Sequence, residues 1–246
     1  MTKYAHDDIT PQKQSTLGKK QQVAEMFNSI AGRYDFLNRF LSAGIDISWR
    51  KKAIAELKKL HPKIVLDVAT GTADVAIMTE QLLHTEKIVG IDISEGMLEL
   101  GRKKIEKLGL QNIELLKGDS ETINFADNSF DAVTVAFGVR NFENLEKGLS
   151  EMLRVLKPGG KLVMLEFSKP KQKGLKSIYK LYMNVVAPGA GKIFSKNKEA
   201  YQYLNQSVQA FPERENFIEI MKKTGYKETY FKTLSLGICC IYCGSK

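Results

Sequence analysis

Ile64-Val65-Leu66-Asp67-Val68-Ala69-Thr70-Gly71-Thr72-Ala73-Asp74, followed by Val89-Gly90-Ile91-Asp92-Ile93-Ser94, is the stretch that decides the fold. An apolar run breaks into a turn of small residues, a helical pattern follows, and a second apolar run ends in a carboxylate. This is the pattern of a nucleoside-binding βαβ unit. The turn is small because a ligand must approach the main chain there, and Asp92 falls where a carboxylate can accept from both hydroxyls of a ribose. The turn also selects the ligand. A dinucleotide site uses three glycines to seat a pyrophosphate on the helix N-terminus, whereas this turn has Gly71 alone, with Asp67 and Asp74 close by. Carboxylates repel a pyrophosphate and suit a zwitterionic amino-acid tail beside a sulfonium, so the cofactor implied is S-adenosylmethionine. The missing glycines exclude a nicotinamide cofactor; a ligand-free turn and a non-catalytic S-adenosylmethionine-binding protein stay as alternatives.

Outward from this unit, strands are expected near 63–68, 87–92, 112–117, 130–136 and 160–167, with helices near 72–83, 95–108 and 143–156. Ser94 or Asp92 caps the helix at 95, Gly109 ends it, and Lys157-Pro158-Gly159-Gly160 stops the helix that Asn141 begins. A further helix at 213–223 and strands near 227–233 and 236–243 close the chain. Such alternation builds a parallel sheet covered on both faces. With two late strands, the last returning beside its neighbour, the expected fold is α/β, the Rossmann-like seven-stranded sheet of a class I methyltransferase.

In that layout ligands lie beyond the carboxyl ends of the strands. Asp67, Ala69, Gly71 and Thr72 follow strand one, Asp92 strand two, Asp119 and Ser120 strand three, and residues 137–141 strand four. Asp119 is suited to accept from the adenine amino group and the Ser120 amide to reach a ring nitrogen.

Before the sheet, residues 1–20 are polar, without period, and expected to be mobile; residues 21–60 carry helical spacing and form a helical cap, broken at Gly32 and Gly44. Residues 21–246 are expected to form a single domain, with 170–200 a helical insertion before the last two strands. Cys239, Cys240 and Cys243 share one strand-like run, and no histidine stands at ligand spacing to them, so no metal site is expected. No run of 18 or more apolar residues exists, and the N-terminus lacks the apolar core of a signal peptide, which points to the cytoplasm.

The charge is concentrated. Residues 157–198 hold ten lysines against Glu166 alone, so this stretch carries the chain's whole net charge of +9. Apolar residues interleave with the lysines, as in a segment that touches an anionic surface, membrane or nucleic acid; a solvated helical face is the plain alternative. An RNA-modifying enzyme would use the same patch for phosphates, but there is no cysteine near the cofactor strands, no Asn-Pro-Pro-Tyr run and no appended RNA module.

Three motifs carry a resemblance. They are Tyr34-Asp35-Phe36-Leu37-Asn38 through Leu41-Ser42 to Trp49-Arg50, then Phe137-Gly138-Val139-Arg140-Asn141, and Arg154-Val155-Leu156-Lys157-Pro158-Gly159-Gly160-Lys161-Leu162 through Leu165-Glu166-Phe167-Ser168. With them the chain resembles the ubiquinone/menaquinone biosynthesis C-methyltransferases. It departs from the family's pattern with leucine at 37 for methionine, Asp46 for a common histidine, and Ala136 where some members have serine. The resemblance implies methylation of a ring carbon on a polyprenylated quinol, most often that of demethylmenaquinone, with a benzoquinol precursor of ubiquinone as the alternative. The enzyme then works at the inner face of the cell membrane, the lysine-rich insertion against anionic lipid, with no nucleic-acid partner. A methyl sulfonium is an electrophile, so the ring carbon must be made electron-rich by deprotonating the hydroxyl beside it. On this reading Arg140 stabilises the phenolate, Asn141 orients the quinol oxygen, Asp35 or Asp46 takes the proton, and Tyr34 is a lid or stacking residue.

Overall fold

A computed structural model describes residues 4–170 and 198–246. Most of the basic stretch expected at 170–200 lies outside the described residues. The architecture grows from strand patterning. β1 (Ile64–Val68), β2 (Lys87–Asp92), β3 (Ile113–Lys117), β4 (Phe130–Ala136) and β5 (Leu156–Phe167) run parallel; β6 (Lys227–Leu234) and β7 (Cys239–Ser245) follow, β7 antiparallel to both its neighbours. The order across the seven-stranded sheet of the described residues is β3-β2-β1-β4-β5-β7-β6. Chain direction across the sheet reverses between β1 and β4, which creates a crevice at their carboxyl ends.

Central strands are apolar on both sides because both faces are covered. Leu66, Val68, Val133, Val135, Leu162 and Met164 pack with α5 (Leu145–Val155) and with Phe217 and Met221 of α7 (Glu215–Thr224). On the opposite face Val65, Ile88, Val163 and Leu165 meet Trp49 of α2 (Ile45–Ala55), Ala76 of α3 (Asp74–Leu83) and Leu98 of α4 (Glu95–Lys107). The three cysteines are free, buried thiols of β7, as the strand reading expected.

Helix signals hold with corrections. Ser94 caps α4, its Oγ accepting from the Met97 amide at 3.3 Å. The cap of α5 is Asn144, whose Oδ1 accepts from the Lys147 amide at 2.9 Å; Asn141, expected to begin this helix, instead ends a 3-10 turn at Val139–Asn141. β5 starts four residues earlier than expected, because the Pro-Gly-Gly turn folds into the strand as an irregularity in its register with β4. Gly160 belongs there since a Cβ would lie 2.8 Å from the Lys157 carbonyl oxygen and 2.9 Å from that of Asp131.

The cap consists of α1 (Lys19–Leu41) and α2, separated at Gly44, whose φ is +76°. Gly32 makes no break; a single glycine costs a helix about 1 kcal/mol, which α1 offsets through its contacts along α4. Residues 4–18, expected to be mobile, pack on the body instead. Tyr4 donates to Glu146 Oε1 at 2.7 Å, His6 is buried against the edge of the Phe211 ring, and Lys19 donates to the His6 carbonyl at 2.7 Å.

Candidate active site

The turn after β1 builds the floor of the crevice. Ala69, Gly71 and Ala73 have φ of +52°, +56° and +65°, a tight left-handed path that brings the Gly71 amide 2.8 Å from Asp92 Oδ2. The Ser94 amide donates to the other oxygen, Oδ1, at 2.8 Å. The Ile93 amide also donates to this carboxylate, so three backbone amides hold it while acceptor capacity remains for a ligand. Burial raises the pKa of this carboxyl above its ordinary value, while the amides oppose the shift.

A cleft of about 660 Å³ opens over Asp92, lined along one side by Lys20, Val23, Phe27 and Tyr34, the inward stripe of α1. Ile93, Met97 and Phe142 give it apolar walls, Asp119 and Ser120 lie at its β3 end, and Ala136, Phe137, Gly138 and Asn141 at its β4 end. Gly138 is obligatory, because a Cβ there would sit 2.6 Å from that of Ala69. Asp119 is not free. Lys20 Nζ reaches its Oδ2 at 2.6 Å and Glu121 Oε2 at 3.3 Å, so the first turn of α1 is pinned to the loop after β3.

Past Tyr34, Ala69, Gly71 and Ala136, which border both spaces, lies a recess of about 350 Å³ lined by Arg50, Asp67, Thr70, Thr72 and Asp74. Asp67 accepts from Thr70 Oγ1 and Thr134 Oγ1, each at 2.6 Å. Burial pushes its pKa up to about 6, against the pull of those two hydroxyls. Arg50 is 5% exposed, pairs through Nη1 with Asp46, and leaves its buried Nε without a partner among the described residues. A buried carboxylate and a buried, under-satisfied guanidinium on one recess are the complement of an amino acid zwitterion, and the Asp92 carboxylate on the cleft is that of a ribose. The residues present thus fit the two polar ends of S-adenosylmethionine.

The structure distributes the other expected residues differently. Asp35 lies outside the cleft lining: it accepts from Thr72 Oγ1 at 2.7 Å and sits 2.5 Å from Lys104 Nζ, which also holds Asp74 at 2.8 Å. Asp46 is buried between Arg39 and Arg50 and accepts from Ser42 Oγ at 2.7 Å. Asp35 fastens α1 to the turn after β1 and to α4, whereas Asp46 ties α1 and α2 to each other within the cap. Arg140 is buried behind the lining, donating through Nη1 to Glu166 Oε1 at 2.8 Å and to the Phe137 carbonyl, with its guanidinium 5.5 Å above the Phe167 ring. Its charge still favours the ionised form of the Tyr34 and Tyr203 phenols, although burial dominates and raises both pKa values. Tyr34 borders cleft and recess, edge-on to Phe27 at 5.8 Å, whereas Trp49 is core, packed on Phe137 and Phe167. Three participants escaped sequence reasoning. Lys20 lies in a stretch read as structureless, Glu166 in a strand read only as core, and Tyr203, on α6 (Lys198–Ala210), follows the basic stretch without any motif.

The model of the ubiE/COQ5 methyltransferase family matches residues 15–246. A demethylmenaquinone methyltransferase of Bacteroides fragilis is 47% identical over 245 residues, covering 99% of both chains. The ubiquinone/menaquinone biosynthesis C-methyltransferase UbiE of Geobacter sulfurreducens is 45% identical, covering 93% of this chain and 90% of its own. Among solved structures, a SAM dependent methyltransferase from Aquifex aeolicus shares the fold at a TM-score of 0.53, with 22% identity over 74% of this chain and 81% of that one. So does the [4+2]-cyclase SpnF, at 0.61 with 17% identity over 92% and 96%, which shows that this fold alone does not dictate methyl transfer. The family match and the relatives, both spanning nearly the whole chain, decide the matter: the chain belongs to the ubiE/COQ5 methyltransferase family.

Proposed function

We propose that the protein methylates a ring carbon of a polyprenylated quinol, that of demethylmenaquinone, using S-adenosylmethionine. The reading rests on the end-to-end likeness to a demethylmenaquinone methyltransferase, 47% identical over 99% of both chains. The benzoquinol precursor of ubiquinone is the second substrate to test, because relatives such as that of Geobacter sulfurreducens bear both quinones in their names.

Asp92 holds the ribose, Asp119 and the Ser120 amide the adenine edge, and Ile93, Met97 and Phe142 its faces. Asp67, Thr72 and Arg50 serve the amino-acid end, with the main chain at Ala69 and Gly71 close against the cofactor. S-adenosylmethionine supplies, when bound, an electrophilic methyl group. This chain's own contribution is to make the ring carbon nucleophilic and to align it. A quinol seated near Tyr34 and Asn141 is a phenol in the field that already acts on the phenols of Tyr34 and Tyr203, where Arg140 favours the ionised form. The buried guanidinium therefore acts at a distance, and Asn141, which lines the cleft, makes the direct contact to the quinol oxygen. Tyr34 closes the space between cleft and recess. Since Asp35 and Asp46 are engaged by cations outside the lining, water takes the one proton released for each methyl group transferred.

Among the described residues no helix is long and apolar enough to cross a membrane. We place the enzyme's action at the inner surface of the cell membrane, where the prenyl tail stays in lipid and the lysines between residues 171 and 198 meet anionic headgroups; Lys157, Lys161 and Lys169 are held on the body by Asp131, Tyr230 and Glu213. Purified protein incubated with S-adenosylmethionine and either reduced quinol, followed by mass spectrometry and carbon-13 NMR of the product, tests the function. A new ring C–CH3 on the naphthoquinol is expected. Absence of a methylated ring carbon on both quinols refutes the reading.

A further inference from the structure

Tyr203 is 2% exposed, and its hydroxyl donates to Asn141 Oδ1 at 3.1 Å. A buried tyrosine hydroxyl needs an acceptor, and a backbone carbonyl is the ordinary one; Tyr226, equally enclosed, donates to the Leu149 carbonyl at 3.0 Å. Tyr203 donates instead to a side-chain amide that lines the cleft. The choice has a chemical consequence, since a carboxamide turned by 180° exchanges an acceptor for a pair of donors. With Oδ1 held by Tyr203, the Nδ2 hydrogens are the group Asn141 has left for a ligand. A donor is what a quinol oxygen acquiring negative charge requires, and an amide oxygen in its place would repel it. Burial raises the Tyr203 pKa, so its hydroxyl keeps its proton and stays a donor. The ring is fixed in turn by Val23 and Met26 of α1 and by Ala200 of its own helix, one apolar cluster shared by α6 and the cap.

We infer that Tyr203 is a positioning residue for methyl transfer: its hydroxyl sets the Asn141 carboxamide with the NH2 toward the quinol oxygen that becomes the phenolate. The inference rests on the quinol reading above and adds to it a residue from the far side of the basic stretch. Nothing in it depends on contact between Tyr203 and substrate.

Tyr203→Phe removes the hydroxyl and keeps the ring in its cluster. Turnover of a short-tailed 1,4-naphthoquinol is expected to fall roughly 10- to 100-fold, in line with the loss of one well-aimed donor, while S-adenosylmethionine affinity and the melting transition stay with the parent. The rise of kcat with pH should also move to higher pH, because a phenol without its donor ionises later; a residue that merely supports packing would lower the plateau and leave that limb in place. In an Asn141→Ala background the same substitution should change kcat less than about twofold, since the two residues act as one unit. The inference is overturned if folded Tyr203→Phe retains the parental kcat and pH limb, if its loss multiplies fully with that of Asn141→Ala, or if it loses fold or cofactor affinity, which would make the hydroxyl a packing group of the cap. A parent protein that methylates neither quinol defeats the functional reading itself, so turnover by the parent separates the two failures.

Discussion

Replacing Asp92 by alanine tests the cofactor site at the point where sequence and geometry agree. In the folded protein Oδ2 accepts from the Gly71 amide and Oδ1 from the Ser94 amide, both at 2.8 Å, the Ile93 amide also donates to the carboxylate, and its remaining acceptor capacity serves the ribose hydroxyls. Hydrogen bonds to a charged acceptor contribute about 1.5–3 kcal/mol, and water replaces part of what two of them provide, so the expected loss is about 3 kcal/mol, roughly a hundredfold in Kd. The unliganded protein responds differently. Alanine strands the three amide donors of Gly71, Ile93 and Ser94 but also removes a carboxylate whose burial raises its pKa, and these effects oppose each other. Calorimetric titration reads the first effect and thermal unfolding with and without S-adenosylmethionine the second. At a ligand concentration about 100 times the parental Kd, the ligand stabilises the parent by about 2.7 kcal/mol, and a variant bound a hundredfold more weakly by only about 0.4 kcal/mol. Unchanged affinity in a folded Asp92→Ala protein would refute the assignment of Asp92 to the ribose.

Cofactor affinity should depend on pH through Asp67. Its folded pKa of about 6 means that below pH 6 the carboxyl is protonated in the free protein, and binding an ammonium beside it must expel that proton. Affinity is therefore expected to be flat above about pH 6.5 and to fall by up to about tenfold per unit below pH 6, and Asp67→Asn should flatten the profile in titrations from pH 5 to 8. Arg140→Lys should lower kcat more than cofactor affinity: lysine keeps the charge, but its ammonium lacks the planar group that lies over the Phe167 ring while Nη1 serves Glu166 and the Phe137 carbonyl, so the charge is no longer held in the same place, and equal turnover would count against the role. Changing Lys171, Lys173, Lys176 and Lys180 to glutamine should reduce sedimentation with anionic vesicles at low salt, each lysine near the surface contributing about 1 kcal/mol, and slow turnover of long-tailed quinol. A short-tailed analogue should be nearly unaffected, and parental vesicle binding by the variant would show that these lysines form a solvated face.

The sheet was readable because its central strands are buried on both sides, which leaves runs such as Ile64-Val65-Leu66 in the sequence, and because small turn residues and carboxylates mark the strand ends. The N-terminal segment was not. Polar residues without period look structureless, yet Tyr4 finds its acceptor on Glu146, 142 positions away, and no local pattern announces such a partner. Asn141 and Asn144 were confused for a related reason, since two asparagines three residues apart offer the same capping chemistry and only the path of the 3-10 turn assigns it.

In the candidate site the divide follows the source of each residue. Positions at the carboxyl ends of strands take their place from topology, so Asp67, Gly71, Asp92 and Asp119 could be named in advance. What the cap and α6 deliver depends on how helices dock, and the pairings of Lys20 with Asp119 and of Tyr203 with Asn141 have no sequence signature. Arg140 lies between these cases. Its position after β4 suggested a cation facing the substrate, but the β4–β5 register pairs Ala136 with Leu165, which brings the chain just past β4 alongside Glu166. The acidic partner was therefore implied by a register that hydrophobic patterning cannot supply, because in strands buried on both faces a slip of one residue exchanges one apolar side chain for another. Given that register, a buried arginine beside a buried glutamate follows, and the cation bears on its surroundings through its field, which favours the ionised forms of the Tyr34 and Tyr203 phenols.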